Sequence, residues 1–311
     1  MTGEFAAIAR IRSRLPGPPD SRQTWIGDDA AVLPGPCGGH LLLAADTAVA
    51  GVHADLALTG LDDLGWKSMT AALSDLAAMG GDPGYSIVTV AAPSGTDLDL
   101  LYDGLAAAAS VYRCPIVGGD LTRAEVLVVT VAVTGGCDGD PVLRSGARPG
   151  DSIWVSRPLG AAAAGLRWLR SRAAGDTGPG PSGGLVRRDL IDAHARPKPE
   201  FAAGRAARLG GAVAMIDVSD GLAADIGHIA EASGVGIELD SVPVAAGAGL
   251  DEALNGGDDY CLLFCAPDPD LIEAAFEGLP APVRIGRCTA DRGHMTLAGR
   301  PLAAVGWEHQ F

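Results

Sequence analysis

The chain has 311 residues, 48% hydrophobic and 20% charged, enough to bury a large core and to form about two domains. Its formal net charge of −15 argues against nucleic acid and anionic membrane surfaces as partners, although an acidic protein can still bind phosphates when metal ions carry the positive charge. No run of about 18 apolar residues occurs, so no membrane-spanning helix is expected.

The N-terminal stretch MTGEFAAIARIRSRL reads as a short amphipathic helix and lacks the apolar centre and cleavage site of a signal peptide. Cysteines stand at 37, 114, 137, 261, 265 and 288 with no CxxC pair, the pattern of buried free thiols in a cytoplasmic protein. Aromatics are scarce at 5%, so small aliphatics and close backbone packing must fill the core. Lysine occurs only as Lys67 and Lys198, which singles out Lys67.

Residues 26–29 end an apolar step in the paired carboxylates Asp28 and Asp29. Residues 41–45 read as a short buried strand with Asp46 at its C-terminal end. Leu61 begins the central helix, whose WKSMTAALSDLAAMGGDP stretch is rich in Ala, Leu and Met and stops at Gly80, Gly81 and Pro83. At helical spacing Asp75 shares a face with Ala71, Ala72, Ala78 and Met79. A carboxylate on an apolar face needs a positive partner, either a distant Arg or a bound cation; otherwise Asp75 caps a short second helix or sits at the edge of the buried face.

A strand is expected at 84–92, an Ala-rich helix at 98–112, a strand entering Gly118, Gly119 and Asp120, and a strand at 127–134. The turn-rich run 135–151 marks the domain boundary, giving domains 1–137 and 138–311. Further strands are expected at 152–156, 212–216 and 236–240, with an apolar strand closing the 255–264 run. Helices are expected at 160–172, after the RPKPEF run, and along the stripe Leu222, Ile226, Ile229, Ala230, with Ser219 or Asp220 as cap and Gly234 as stop. Residues 173–184 read as a mobile surface loop. Strands and helices mix in both halves, which fits an α/β chain of mixed α+β character rather than a purely parallel wound sheet.

Carboxylates recur at strand ends and glycine turns: Asp28–Asp29, Asp46, Asp75, Asp120, Asp217, Asp220 and Asp258–Asp259. Each alone reads as a turn or cap residue. Together, hard oxygen donors from separate segments suit Mg²⁺ and substrate phosphates. No G-x-x-x-x-G-K-[ST] loop, post-strand G-x-G-x-x-G or H-E-x-x-H is present. His53 follows Asp46 closely, and Arg144 either meets a phosphate or pairs on the surface.

The segments GDDAAVL, DTAVAGVH, WKSMTAALSDLAAMGGDP, GGDLTR, LRSGARPGD, IDVSDGLAADIGHIAEASG, GGDDYCLLF and GWEHQF, in this order, resemble the thiamine-monophosphate kinase family nearly end to end. The resemblance implies a two-domain fold like aminoimidazole ribonucleotide synthetase. Its N-terminal sheet would pair across a homodimer, and its C-terminal domain would close an active-site cleft. It implies an ATP-dependent phosphorylation of thiamine monophosphate to thiamine diphosphate with several Mg²⁺ ions. Carried across by motif, Asp29, Asp46, Asp75, Asp120, Asp217 and Asp220 resemble the metal ligands. Gly119, Asp120, Arg144, Ser219 and Tyr102 resemble ATP contacts, and His53, Asp258 and Trp307 contacts to the thiamine phosphate. The chain departs from the family at Ala45, where a Thr commonly precedes the metal-binding Asp and Ala44 offers no hydroxyl instead, and at Asp258, where GGED reads GGDD. The alternatives are a sister enzyme of the same fold with another phosphate acceptor, for which Cys37 is the one candidate reactive thiol, and a non-catalytic nucleotide or thiamine phosphate sensor.

Overall fold

The computed structural model describes residues 4–35, 39–175 and 184–307; Cys37, Glu308–Phe311 and most of the 173–184 run lie outside them. The first half is built from α1 (Glu4–Arg12), β1 (Ala31–Pro34), β2 (His40–Val49), α2 (Leu61–Ala78), β3 (Asp82–Ala92), α3 (Leu98–Val111), β4 (Ile116–Arg123) and β5 (Val128–Cys137). Its sheet runs β1-β2-β5-β3-β4, antiparallel except for the parallel β3–β4 pair. The second half adds β6 (Ser152–Val155), α4 (Ala161–Ala173), α5 (Gly184–Ala195), α6 (Phe201–Leu209), β7 (Ala214–Asp217), α7 (Leu222–Ser233), β8 (Gly236–Leu239), α8 (Leu250–Asn255), β9 (Leu262–Ala266), α9 (Pro269–Ala275), β10 (Val283–Thr289), β11 (Met295–Leu297) and β12 (Arg300–Pro301). Its sheet runs β12-β11-β8-β10-β6-β9-β7. This is the mixed α+β architecture that the sequence suggests. Among the described residues no helix is long and apolar enough to cross a membrane.

Alternation decides what each strand of the first sheet presents. On β3, Ser86, Val88, Val90 and Ala92 are buried, whereas Tyr85, Ile87 and Thr89 point outward. The buried row packs with Leu64, Leu73, Leu76, Leu101 and Leu105 of α2 and α3. α2 meets α3 at backbone distance, because an added Cβ at Gly65 would run into the Leu101 carbonyl and one at Gly104 into the Asp62 carbonyl. On its other side α2 touches α6 and β7 of the second half. Gly204 leaves no room there for a Cβ against Ala77 O, and the Trp66 indole donates to Pro197 O at 2.9 Å. α2 is therefore the helix on which both halves close.

Asp46 is not at a strand end. β2 runs ten residues, His40–Val49, with Asp46 inside it opposite Val131. Continuous pairing with β5 carries the strand past the apolar run that marked its expected end. Asp75 caps no helix either; α2 continues unbroken to Ala78, and Met79 and Gly80 (φ +67°) terminate it. Ser219 and Asp220 do not cap α7, whose N-cap is Gly221 without a side-chain cap bond. Gly234 ends that helix in the left-handed conformation, as expected. Cys114, Cys137, Cys261, Cys265 and Cys288 are free and buried.

Candidate active site

Three carboxylates converge at the centre. Asp29 comes from the turn before β1, Asp75 from the fourth turn of α2, near its C-terminal end, and Asp217 from the C-terminal end of β7; one oxygen of each lies within 4.8 Å of the others. Arg144, from the segment joining the halves, donates from Nη2 to Asp29 Oδ1 at 2.5 Å. Its backbone N–H reaches Asp28 Oδ2 at 3.2 Å, and its Nε lies 3.9 Å from Asp28 Oδ1. The side chains of Asp28 and Asp29 are both 4% exposed. Asp29 Oδ2 is buried with no hydrogen-bond partner among the described residues.

One cation does not balance this charge. Desolvation and the neighbouring Asp29 push Asp28 up to about 7. Desolvation and Asp29 push Asp217 to about 7, with the Ser74 hydroxyl and Arg144 opposing. Asp75 stands well above the carboxylate range, first from burial and then from Asp217, Asp29 and Asp46. A site that resists ionisation of its own carboxylates is built to receive a cation.

Beside it, Asp220, Asp225 and His228 bring one donor atom each within 4.8 Å of one another. Asp225 is buried on α7, and its Oδ2 accepts from the N–H groups of Asp220 at 3.2 Å and Gly221 at 3.1 Å. It holds the DVSDGL turn in place of the expected cap. Burial raises the Asp225 carboxyl well above its usual range and lowers His228 to about 4. The sequence reading missed both residues. Their signal was that of Asp75: a carboxylate on the buried stripe of a helix, with His228 one turn on.

At the opposite end, Asp258 accepts from Lys67 Nζ at 2.6 Å and from Tyr260 OH at 3.3 Å. Asp46 is exposed at the surface, yet desolvation by the surrounding atoms raises its carboxyl; the Thr47 N–H and the nearby His53 oppose that rise, and the charge of Asp258 adds to it. His53 Nδ1 accepts from Val49 N–H at 3.0 Å. Ser219 O takes the N–H of Asp258 at 2.8 Å, tying this loop to the DVSDGL turn.

Other expected residues lie apart. Gly119 and Asp120 are exposed on the edge strand β4. The rungs Asp46–Val131–Val88–Gly119 and Thr47–Thr130–Thr89–Asp120 cross the sheet, so Asp46 faces α2 and Asp120 faces the other way. Three strand spacings also separate them, about 14 Å. Ala45 shares the outward face with Thr47, across the sheet from Asp46. Tyr102 packs half-buried on α3 against the first core. Trp307 is 53% exposed, donates its backbone N–H to Asp220 O at 3.2 Å and lines a cavity of about 650 Å³ with Ala224, His228, Glu231 and Arg292.

The family AIR synthase related protein, N-terminal domain, matches residues 27–137, and its C-terminal domain family matches 148–297. A thiamine-monophosphate kinase of Salmonella typhimurium is 38% identical over 307 residues, covering 93% of this chain and 91% of the relative. The chain belongs to the thiamine-monophosphate kinase family. The Mycobacterium tuberculosis member is 37% identical over 86% of this chain and 81% of its own. Among solved structures, AaThiL complexed with AMPPCP and TMP matches with a TM-score of 0.85 at 30% identity, over 99% of this chain and 97% of that one. The thiamine-monophosphate kinase of Stenotrophomonas maltophilia matches at 0.77 and 36% identity, over 96% and 97%. The HypE–HypF complex, at 18% identity and 0.69, shares the fold alone. The ordered motifs bring Asp29, Asp75, Asp217 and Arg144 to one centre, with Asp220 beside it and with Asp46, which interacts with Asp75, His53 and Asp258, close by.

Proposed function

We infer that the chain phosphorylates thiamine monophosphate with ATP, giving ADP and thiamine diphosphate. The observation that carries this reading is the Asp29–Asp75–Asp217 centre in a thiamine-monophosphate kinase chain. The acceptor is a phosphate monoester whose second pKa lies near ~6, so it is mostly a dianion at neutral pH. No strong general base is required. The obstacle is the approach of one polyanion to another.

The donor set fits Mg²⁺: carboxylate oxygens from separate elements, one of them buried with no partner among the described residues, and raised proton affinity at Asp29, Asp75 and Asp217. Asp29, Asp75 and Asp217 would hold it, with Asp46, Asp120 and Asp220 as further ligands of several ions. Mg²⁺ bound there supplies the charge neutralisation that lets two phosphates meet in line. Arg144 orients Asp29 and, with Ser219, Gly119 and Tyr102, serves the nucleotide. His53, Asp258 and Trp307 position the acceptor; an indole face suits a cationic thiazolium.

The same reading divides the chain into domains 1–137 and 138–311 and makes it a cytoplasmic homodimer. What supports the dimer is the outward face and edge of the first sheet, where Leu43, Tyr85, Ile87, Val117 and Leu121 are 42–62% exposed. An apolar patch of this kind calls for a cover. Asp120 lies on that outward face and would serve the partner's cleft.

Purified protein incubated with ATP, Mg²⁺ and thiamine monophosphate should yield ADP and thiamine diphosphate. Chelator should abolish the reaction, and free thiamine should give no product. Nucleotide binding without turnover would replace the kinase by a sensor.

A further inference from the structure

Lys67 belongs to no role assigned so far. It stands on α2 eight residues before Asp75, about 12 Å along the helix axis at 1.5 Å per residue. Its side chain is 7% exposed, although an ammonium is strongly hydrated and rarely buried without a partner. The partner is the Asp258 carboxylate at 2.6 Å, on a loop from the other half of the chain.

That loop is constrained. Asp258 (φ +67°) and Tyr260 (φ +50°) both occupy the left-handed region, which is strained for a non-glycine residue. Between them Asp259 is buried and accepts from Gly160 N–H at 2.5 Å and Ala162 N–H at 3.2 Å, while Arg157 donates to its carbonyl. The backbone N–H groups of Asp258 and Tyr260 bond to Ser219 O at 2.8 Å and Val218 O at 2.7 Å. The backbone is thus fixed from one side and the Asp258 carboxylate from the other: Lys67 holds Oδ2 and Tyr260 holds Oδ1. Behind Lys67, His194 is buried and kept neutral by desolvation and by the lysine charge, its pKa lowered to about 4. No anion other than Asp258 is placed within ion-pair distance of Lys67 among the described residues.

We propose that Lys67 is a positioning residue that determines acceptor specificity by holding Asp258 in one orientation, so that a carboxylate one methylene shorter than glutamate meets the thiamine moiety at a fixed point. The pair is neutral as a whole, so Asp258 works as an aimed hydrogen-bond acceptor rather than a bare negative charge. This rests on the kinase reading above.

The test is steady-state kinetics on the full chain, varying thiamine monophosphate and ATP separately, for Lys67→Met, Lys67→Arg, Asp258→Asn and the double variant Lys67→Met/Asp258→Asn. Losing a charge-assisted bond should raise the KM for thiamine monophosphate about tenfold or more. The KM for ATP should stay within about twofold. Lys67→Arg should recover most of the loss, and the double variant should be no worse than the poorer single one. Tyr260→Phe, which keeps the ring, should give a smaller rise of the same kind. An unchanged KM for thiamine monophosphate in Lys67→Met, or equal rises for both substrates without rescue by Arg, would overturn the assignment. If Lys67→Met does not fold, Lys67→Arg and Tyr260→Phe decide on the same two constants. Absence of turnover in the unaltered protein defeats the kinase reading and this inference with it; turnover that ignores Lys67 defeats the inference alone.

Discussion

Arg144 and Asp29 meet at 2.5 Å across the junction of the two halves, the arginine from the connecting segment and the aspartate from the turn before β1. Arg144 also faces Asp28, so a single guanidinium serves two buried carboxylates. Removing one member of a buried charge cluster leaves the others uncompensated, typically at about 3–5 kcal/mol. Arg144→Met should therefore lower both the thermal midpoint and kcat/KM, the latter by about a hundredfold. Arg144→Lys should recover less than half of either loss in free energy, because an ammonium does not reproduce the planar fork. Thermal melts and initial rates on the three proteins check this.

Asp75 and Asp217 separate stability from activity. Their carboxyls are forced together and desolvated, so an isosteric amide relieves the fold. Asp75→Asn and Asp217→Asn should raise the melting temperature of metal-free protein by a few degrees, about 2–4 °C per kcal/mol gained. Turnover should fall by about 10²-fold or more. A variant that loses stability, or keeps near-normal turnover, would remove that residue from the metal centre.

The same carboxyls set a pH dependence. Asp28 and Asp217 titrate at about 7 in the folded chain against an ordinary 3.8. Between these values the native state holds protons that the unfolded chain has released, so stability falls as pH rises through this window. The metal-free melting temperature should drop between about pH 4 and pH 7 and level off above it. Mg²⁺ should raise it more at the upper end, because metal binding competes with protons. A profile that is flat with and without Mg²⁺ would contradict the shared-cation account.

Asp120 offers a test of the dimer. Asp120→Asn and Asp75→Asn are each expected to be nearly inactive. If Asp120 serves the partner's cleft, co-refolded or co-expressed mixtures regain activity, because one cleft of each mixed dimer is intact. The yield for a random equimolar mixture is about one quarter of the unaltered protein. No recovery, or a monomer in sedimentation, would return Asp120 to an unassigned surface residue.

Residue type and local spacing were enough to show α2, the β3 and β5 strands, the stop at Gly234 and the acidic character of the site. Asp75 was legible because a charge on an apolar helical stripe stands out against a 3.6-residue period. The family was legible because its motifs recur in order. Three features depended on the tertiary structure. Asp46 lies inside β2 because pairing with β5, more than eighty residues away, extends the strand. Asp225 rather than Ser219 or Asp220 secures the α7 turn because only the folded turn brings two backbone N–H groups onto its carboxylate. Lys67 and Asp258, 191 residues apart, form an ion pair because α2 is the surface on which the second half closes. Local pattern reports what a residue prefers; which charge lies opposite it is decided by contacts between distant segments.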